Sequence, residues 1–577
     1  MTDTTQLSTS KTGQKERKFM DQIIVPHETS GTILTCDEGI SFWGGVNADN
    51  GVVQDAHHPQ HNQSLAGKIV LMPTSRGSCS GSGVLLELVL NGHAPAALIF
   101  HEAEDILTLG ALIAAKMFEC PLAVLRLSKD SYDRLTHCTH AHITADQIVA
   151  DGVVLTLTPL ETDILALTAQ DQAMLEGTEG HAVQLAMQVI QTMGAAQAAT
   201  RLTDITRGHI DGCIYAGAAN LTFANAMQQM GARVKIPTTT NAISVDFDNW
   251  QNQGVPSLFG TPASQLAAAY VAMGARPTFT CAPYLAQDRP QVGEDIGWSE
   301  SNAVIFANSV LGARTVKHPD FFDLFVALTG RAPLADVYLS ENRQAMVRLS
   351  IDLPSNHSEA IWPLIGWVAG QHAPDRVPRI DGLEHAGIVE DDLKALCAAF
   401  GTTSAAPMLH IKGVTPEGER APHPDAPCIK ITKTMLAQAW IALNSGPEQV
   451  HLVALGSPHF SLGETRIFAD LMAGRMCTAE TACIITMGRE TGQQAQTEGL
   501  IERLEASGVQ VFHDLCWCSI SEPVFPPDAR NLVTNSGKYA HYAPGLSGRT
   551  VRFASLAECA DAAVEGHLAA GLPDWLV

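Results

Sequence analysis

A chain of 577 residues with 46% apolar and 17% charged side chains is globular and long enough for two or more cores. Its formal net charge of −24 sets aside nucleic acid and membrane surfaces as main partners, since anionic phosphate demands a basic face. No apolar run approaches the ~20 residues of a bilayer span, and 13 cysteines without a regular framework point to free thiols or metal ligands in a cytoplasmic protein.

The polar start MTDTTQLSTSKTGQKERKFM reads as a mobile leader over residues 1–20. Residues 21–150 read as a small α/β domain, in which strand-like GTILTC, KIVLMP, AALIF and LAVLRL alternate with helical VLLELVLNG and EDILTLGALIAAKMF. Between them DAHHPQHNQS, with His57, His58 and His61, reads as an exposed loop or a metal-binding tract. After VVLTLTP, Thr162 and Asp163 predict the start of a capped helix through ILALTAQDQAMLEG, which opens a larger domain over 151–577. There RVKI reads as a strand and Pro237-Thr238-Thr239-Thr240-Asn241 as the turn after it. Glu300-Ser301-Asn302 is polar inside a helix-like apolar run and demands either a buried network or a ligand.

The last third alternates HLVALG, ACIITMG, VQVFHDLC, NLVTNSG and TVRFAS with helical segments such as QTEGLIERLEASG. That alternation predicts a mainly parallel sheet covered on both faces. Ligands of such sheets gather beyond the strand carboxyl ends, and three of those ends carry unusual residues: Ser457-Pro458-His459, Cys516-Trp517-Cys518 and Asn535-Ser536-Gly537-Lys538.

The loop Arg76-Gly77-Ser78-Cys79-Ser80-Gly81-Ser82-Gly83 joins a strand to a helix. It lacks the Gly-Lys-Ser/Thr ending of a Walker loop and the Gly-x-Ser-x-Gly of a nucleophile elbow. What remains is an anion-friendly helix start whose N–H groups would lower a serine pKa, or a plain turn. Cys516 and Cys518 are the closest cysteine pair; no CxxC exists, so any iron–sulfur centre draws its ligands from distant segments.

Taken together, HIDGCIYAG, VKIPTTTN, FTCAPYL, GEDIGWSESNAVIFANSVLGARTVKHPD, LTGRAP, GSPHFSLGE, DLCWC and TNSGKYAHYAPG resemble the aconitase X family of hydro-lyases. RGSCSGS resembles the serine loop of that family's small swivelling domain, here fused ahead of the large part. The resemblance implies an α/β fold: an aconitase-like multi-lobed large domain, a small N-terminal swivelling β/α domain, and an active site in the cleft between them. It also implies dehydration of a small hydroxy acid, with no nucleic acid, membrane or obligate protein partner. The expected substrate is cis-3-hydroxy-L-proline, giving 1-pyrroline-2-carboxylate; a phosphorylated or open-chain hydroxy acid, or a non-catalytic binding role, are the alternatives. Ser78 takes the role of base. Arg76, Ser80, Ser82, Gly212, Cys213, Asn241, Asn535, Ser536 and Lys538 fall at substrate contacts. Cys281, Ser457 and Cys516 fall at the cluster positions. Because the middle one is serine, the expectation is an iron–sulfur cluster on Cys281, Cys516 and Cys518, of two irons in preference to four.

Overall fold

The structure, a computed structural model, describes residues 21–55 and 58–577; the leader and His57 lie outside the described residues. The small lobe is built on a nine-stranded sheet. Its centre places Thr29–Thr35, Ile69–Leu71, Ala97–Phe100 and Ala123–Arg126 side by side and parallel. The last three of these are buried along their whole length, as apolar runs covered on both faces must be. Val70, Leu98 and Val124 meet the helices Gly81–Leu90 and Ile106–Phe118 on one face, while Ile69, Ile99 and Leu125 meet Tyr132 and Leu135 on the other. The sheet continues past residue 150: Val153–Thr156 closes one edge and Thr158–Pro159 pairs with Gln22–Val25 at the other.

The large part holds three parallel sheets. One has Gly208–Ile210 between Thr238–Thr240 and Gly297–Trp298. A second orders His410–Ile411, Pro378–Asp381, Val347–Ile351 and Cys428–Ile431. The third orders Val509–His513, Ala482–Met487, Leu452–Leu455, Asn531–Thr534 and Thr550–Phe553, the strands expected of the last third.

Three local expectations are corrected. The helix expected from Thr162 begins only at Ala169, because Thr168 and Asp171 close a capping box on each other's backbone N–H. RVKI is not a strand; the three threonines after it are, paired with Gly208–Ile210. QTEGLIERLEASG is broken at Gly499 (φ 69°) into Arg489–Thr497 and Leu500–Ala506.

The lobes are packed together. Leu85, Leu88 and Leu109 share one apolar cluster with Ile190, Phe223 and Phe325 of the large part, and Glu87 accepts the backbone N–H of Ala219 across the boundary. This contact presses the serine loop against the strand ends of the large part.

Candidate active site between the two lobes

The strand Ile69–Leu71 delivers the chain to the serine loop. Gly77 makes the bend possible: its φ is +93°, and a Cβ there would lie 2.2 Å from Ser41 Oγ. Ser78 is half-buried; its Oγ lies 3.3 Å from Ser80 Oγ and accepts the Ser80 backbone N–H at 3.3 Å. The next residue docks the loop on the large part. Cys79 offers its thiol to Ser299 O at 3.6 Å, and its carbonyl accepts the Asp320 N–H at 3.3 Å.

Two loop residues stand apart from the expected substrate contacts. Ser82 is fully buried, and its hydroxyl is spent on the carbonyls of Cys79 and Asp320, both at 3.1 Å. Arg76 turns its exposed guanidinium to Glu38 (3.0 Å) and Asp55 (3.3 Å), so it braces the small lobe's surface and not the serine oxyanion. A cation that does act on this loop is Lys317, which sequence reading passed over. It is half-buried and makes no hydrogen bond or ion pair among the described residues; burial pushes the Cys79 thiol pKa up, and Lys317 only partly opposes that rise.

Facing the loop are the ends of two neighbouring strands. Gly208–Ile210 runs into Asp211-Gly212-Cys213, and Thr238–Thr240 runs into Asn241. Asn241 bridges them, its amide donating to Asp211 Oδ1 while its own oxygen accepts the Ala242 N–H at 2.7 Å. Cys213 is wholly buried with its thiol on the carbonyls of Asn241 (3.3 Å) and Ile210 (3.5 Å), a packing role. Gly212 lets Tyr270 approach, since a Cβ there would stand 3.1 Å from the phenolic oxygen. Asp323 anchors the turn, accepting N–H groups from Asp211 (2.6 Å) and Leu324 (2.7 Å).

Asp320 completes a group of three buried carboxyls with Asp211 and Asp323, none of which the motifs singled out. Burial and mutual repulsion push Asp211 well up, and Asp323 to about 7. Asp320 is pushed up to about 6 by burial, against hydrogen bonding from Ser80 and Asp211.

The three cysteines expected at the cluster meet in space. Cys281, Cys516 and Cys518 form one small cluster with Ala242. Hydrogen bonds from its two neighbours hold the Cys516 thiol well below its usual pKa, with Lys538 adding to the effect. Backbone N–H groups point at the sulfurs: His459 N to Cys281 Sγ at 3.3 Å and Cys518 N to Cys516 Sγ at 3.4 Å. The His459 ring ties their loops together, Nδ1 to Thr280 Oγ1 at 3.1 Å and Nε2 to Leu515 O at 2.7 Å. Asp514 is buried and fixes the DLCWC turn through two 2.6 Å bonds from Arg489.

Lys538 reaches Glu300 at 2.7 Å, so it arrives already paired. Glu300 also takes the Ala303 N–H (2.9 Å) and the Asn302 amide, whose nitrogen reaches Cys281 O at 3.0 Å. The polar run Glu300-Ser301-Asn302 is therefore a buried network joining Lys538 to the cysteine segment. Ser536 caps its helix, accepting Tyr539 N–H at 3.0 Å and donating to Ser457 O. Ser457 is buried, and Asn535 half-buried, beside it in a small cavity with Lys394. Among the described residues, His58 and His61 gather no metal set: His58 is buried, with Nδ1 accepting the Gln60 N–H at 3.0 Å, and His61 is exposed.

Four family models match successive segments: the aconitase X swivel domain over 18–168, and its first, second and third domains over 164–341, 344–441 and 450–565. The chain belongs to the aconitase X family. A Pseudomonas aeruginosa protein named cis-3-hydroxy-L-proline dehydratase is 46% identical over 97% of this chain and 98% of its own. One of the same name from Hypocrea jecorina is 43% identical over 95% of this chain and 96% of its own. The crystal structure of Thermococcus kodakaraensis aconitase X, in its holo form, superposes with a TM-score of 0.62 at 28% identity. It covers 69% of this chain and 100% of that one.

Aconitase X membership suggests an iron–sulfur cluster, and the donor chemistry fits one. Three soft thiols converge, two of them already receiving N–H bonds, with the Lys538 ammonium beside them to offset thiolate charge. Among the described residues no three His, Cys, Asp or Glu side chains are disposed around a single ion. A cluster needs no such grouping, because it spreads its thiolates over several irons.

Proposed function

We propose that this chain is a hydro-lyase that removes water from cis-3-hydroxy-L-proline to give 1-pyrroline-2-carboxylate. The observation that carries the reading is one junction. Cys79 of the serine loop docks on Ser299 O at 3.6 Å, the next residue, Glu300, pairs with Lys538 at 2.7 Å, and Glu300 is joined through the Asn302 amide to the Cys281 carbonyl at 3.0 Å. The near full-length likeness to two proteins bearing that dehydratase name supports the substrate.

In this reading Ser78 Oγ takes the α-proton. A serine hydroxyl is a weak base, so its alkoxide needs the Ser80 N–H that already points at it and the unpaired Lys317 ammonium nearby. Lys317 also replaces Lys538 as the grip on the substrate carboxylate, because Lys538 is held by Glu300. In the cis isomer the C3 hydroxyl shares a ring face with the carboxylate, so the α-hydrogen lies opposite the leaving group and elimination is anti. The Cα–H electron pair becomes the C2–C3 double bond as the hydroxyl departs as hydroxide; the proton taken by Ser78 and that hydroxide together make up the released water, and the enamine tautomerises to the imine. A cluster of two irons on Cys281, Cys516 and Cys518 would supply the Lewis acid for that hydroxyl, the smaller nuclearity being favoured by Ser457 at the remaining position. The 13 cysteines are all free, which suits the reducing cytoplasm.

Proton NMR of cis-3-hydroxy-L-proline incubated with anaerobically purified enzyme tests this. Signals of 1-pyrroline-2-carboxylate are expected. Ser78→Ala is expected to lower kcat at least ~10³-fold with iron content unchanged. Unchanged turnover in that variant refutes the base assignment, and no product from the wild type refutes the substrate.

A further inference from the structure

The serine loop reaches its bend only after being tied, residue by residue, to one short strap of the small lobe. Pro73 O accepts the N–H groups of His101 (3.3 Å) and Glu102 (3.0 Å), and Thr74 Oγ1 donates to Ala103 O at 2.8 Å. The last tie is the tightest: Ser75 Oγ donates to Glu104 Oε1 at 2.6 Å, and Glu104 is 6% exposed. At the far end of the loop Ser82 O lies over Gly110, where a Cβ would stand 2.7 Å away. Both feet of the loop therefore rest on residues 101–110, with Ser78 in the span between them.

The strap continues as the helix Ile106–Phe118, whose first N–H groups need acceptors. Asp105 stands at the N-cap but caps nothing, because its carboxylate accepts the Gln197 amide of the large part at 2.9 Å. Glu104 caps in its place. Its Oε1 takes the Leu107 N–H at 2.7 Å, and its Oε2 takes the Thr108 N–H at 2.9 Å with the Thr108 hydroxyl at 2.8 Å. Ser75 brings the donors on this one carboxylate to its full complement of about four. Capping requires only the helix donors. The bond to Ser75 has no part in the helix, and it reaches a residue three positions ahead of the base. We propose that Glu104 is a positioning residue for Ser78: through Ser75 it fixes the loop's entry over the helix, so that Ser78 Oγ keeps its place against the Ser80 N–H. This rests on Ser78 as the base and deepens that reading. A reacting group displaced by ~1 Å forfeits on the order of 10²-fold in rate, and a slack foot gives the loop that freedom.

The test uses the full-length chain. Ser75→Ala and Glu104→Ala are each expected to lower kcat on cis-3-hydroxy-L-proline about 10–100-fold, with KM within about threefold and iron content unchanged. The double variant should lose no more than either single one, because both break the same bond. Ser75→Thr, which keeps a hydroxyl, should restore kcat to within about threefold of wild type. Amide hydrogen exchange gives a readout that needs no substrate: in Ser75→Ala the Ser80 N–H should exchange at least ~10-fold faster, while in Ser75→Thr it should stay slow. A Ser75→Ala kcat within about twofold of wild type, losses that add in the double variant, or unchanged exchange at Ser80 overturns the proposal. Should Glu104→Ala fail to fold, the two Ser75 variants decide. A wild type that forms no product refutes the substrate, and the exchange measurement then decides the role of Glu104 by itself.

Discussion

Lys538→Met removes the cation that links the two halves of the site. Glu300, whose side chain is 8% exposed, would keep its place at the helix start Ser301–Phe306 but lose its partner at 2.7 Å. In the wild type, burial pulls the Lys538 pKa down, and Glu300 and the three cysteines more than reverse that, so Lys538 is charged at neutral pH. Removing one partner of a buried pair costs about 3–5 kcal/mol. In a large part of about 430 residues that is a fall of roughly 3–6 °C in Tm. The double variant Glu300→Gln/Lys538→Met keeps an acceptor for the Ala303 N–H and has no orphaned charge, so it should recover at least half of the loss. Differential scanning calorimetry on all four members of the cycle measures the coupling. If the single and double variants melt together, the pair is not a coupled buried ion pair and the charge argument for this junction fails.

Gly110→Ala should disturb the serine loop from behind. The added Cβ would stand 2.7 Å from Ser82 O, forcing apart the helices Gly81–Leu90 and Ile106–Phe118. We expect about 1–3 kcal/mol of destabilisation with a fall in kcat at unchanged iron content. Arg76→Ala should cost less than about 1 kcal/mol and leave kcat within about twofold, since its partners lie on the surface. The pH dependence of stability carries a sign. Burial raises Asp320 to about 6 and Asp323 to about 7, so the folded chain holds protons that an unfolded carboxyl releases near 4, and stability should fall as pH rises from about 4 through 7. Urea midpoints at pH 5 and pH 8 measure the difference; in Asp320→Asn it should shrink, and an unchanged difference would assign it to other groups.

The positions of the chemistry were legible in the sequence because parallel sheets expose their strand ends, and Cys516, Asn535 and Lys538 sit just past Val509–His513 and Asn531–Thr534. Motif resemblance added Cys281 and Ser78, which lie on loops of different lobes. What spacing could not convey was the direction of each side chain. Ser82 and Ser536 look like Ser78 on paper, yet one hydroxyl is spent across the lobe boundary and the other caps a helix. Lys538 looks like a free cation until a residue 238 positions away pairs with it. Thr168-x-x-Asp171 was a readable capping box, outweighed by the apolar period that began at Ile164.

The acids near the serine loop were the least legible feature, because HIDGC and KHPDFFD are separated by about a hundred residues and each reads as an ordinary strand end or loop. Their meaning comes only from assembly. A chain-wide charge of −24 says nothing about where charge collects, but burial and mutual repulsion among three carboxyls beside the docked serine loop mark a place where the assembled fold raises carboxyl pKa values, which no composition could reveal.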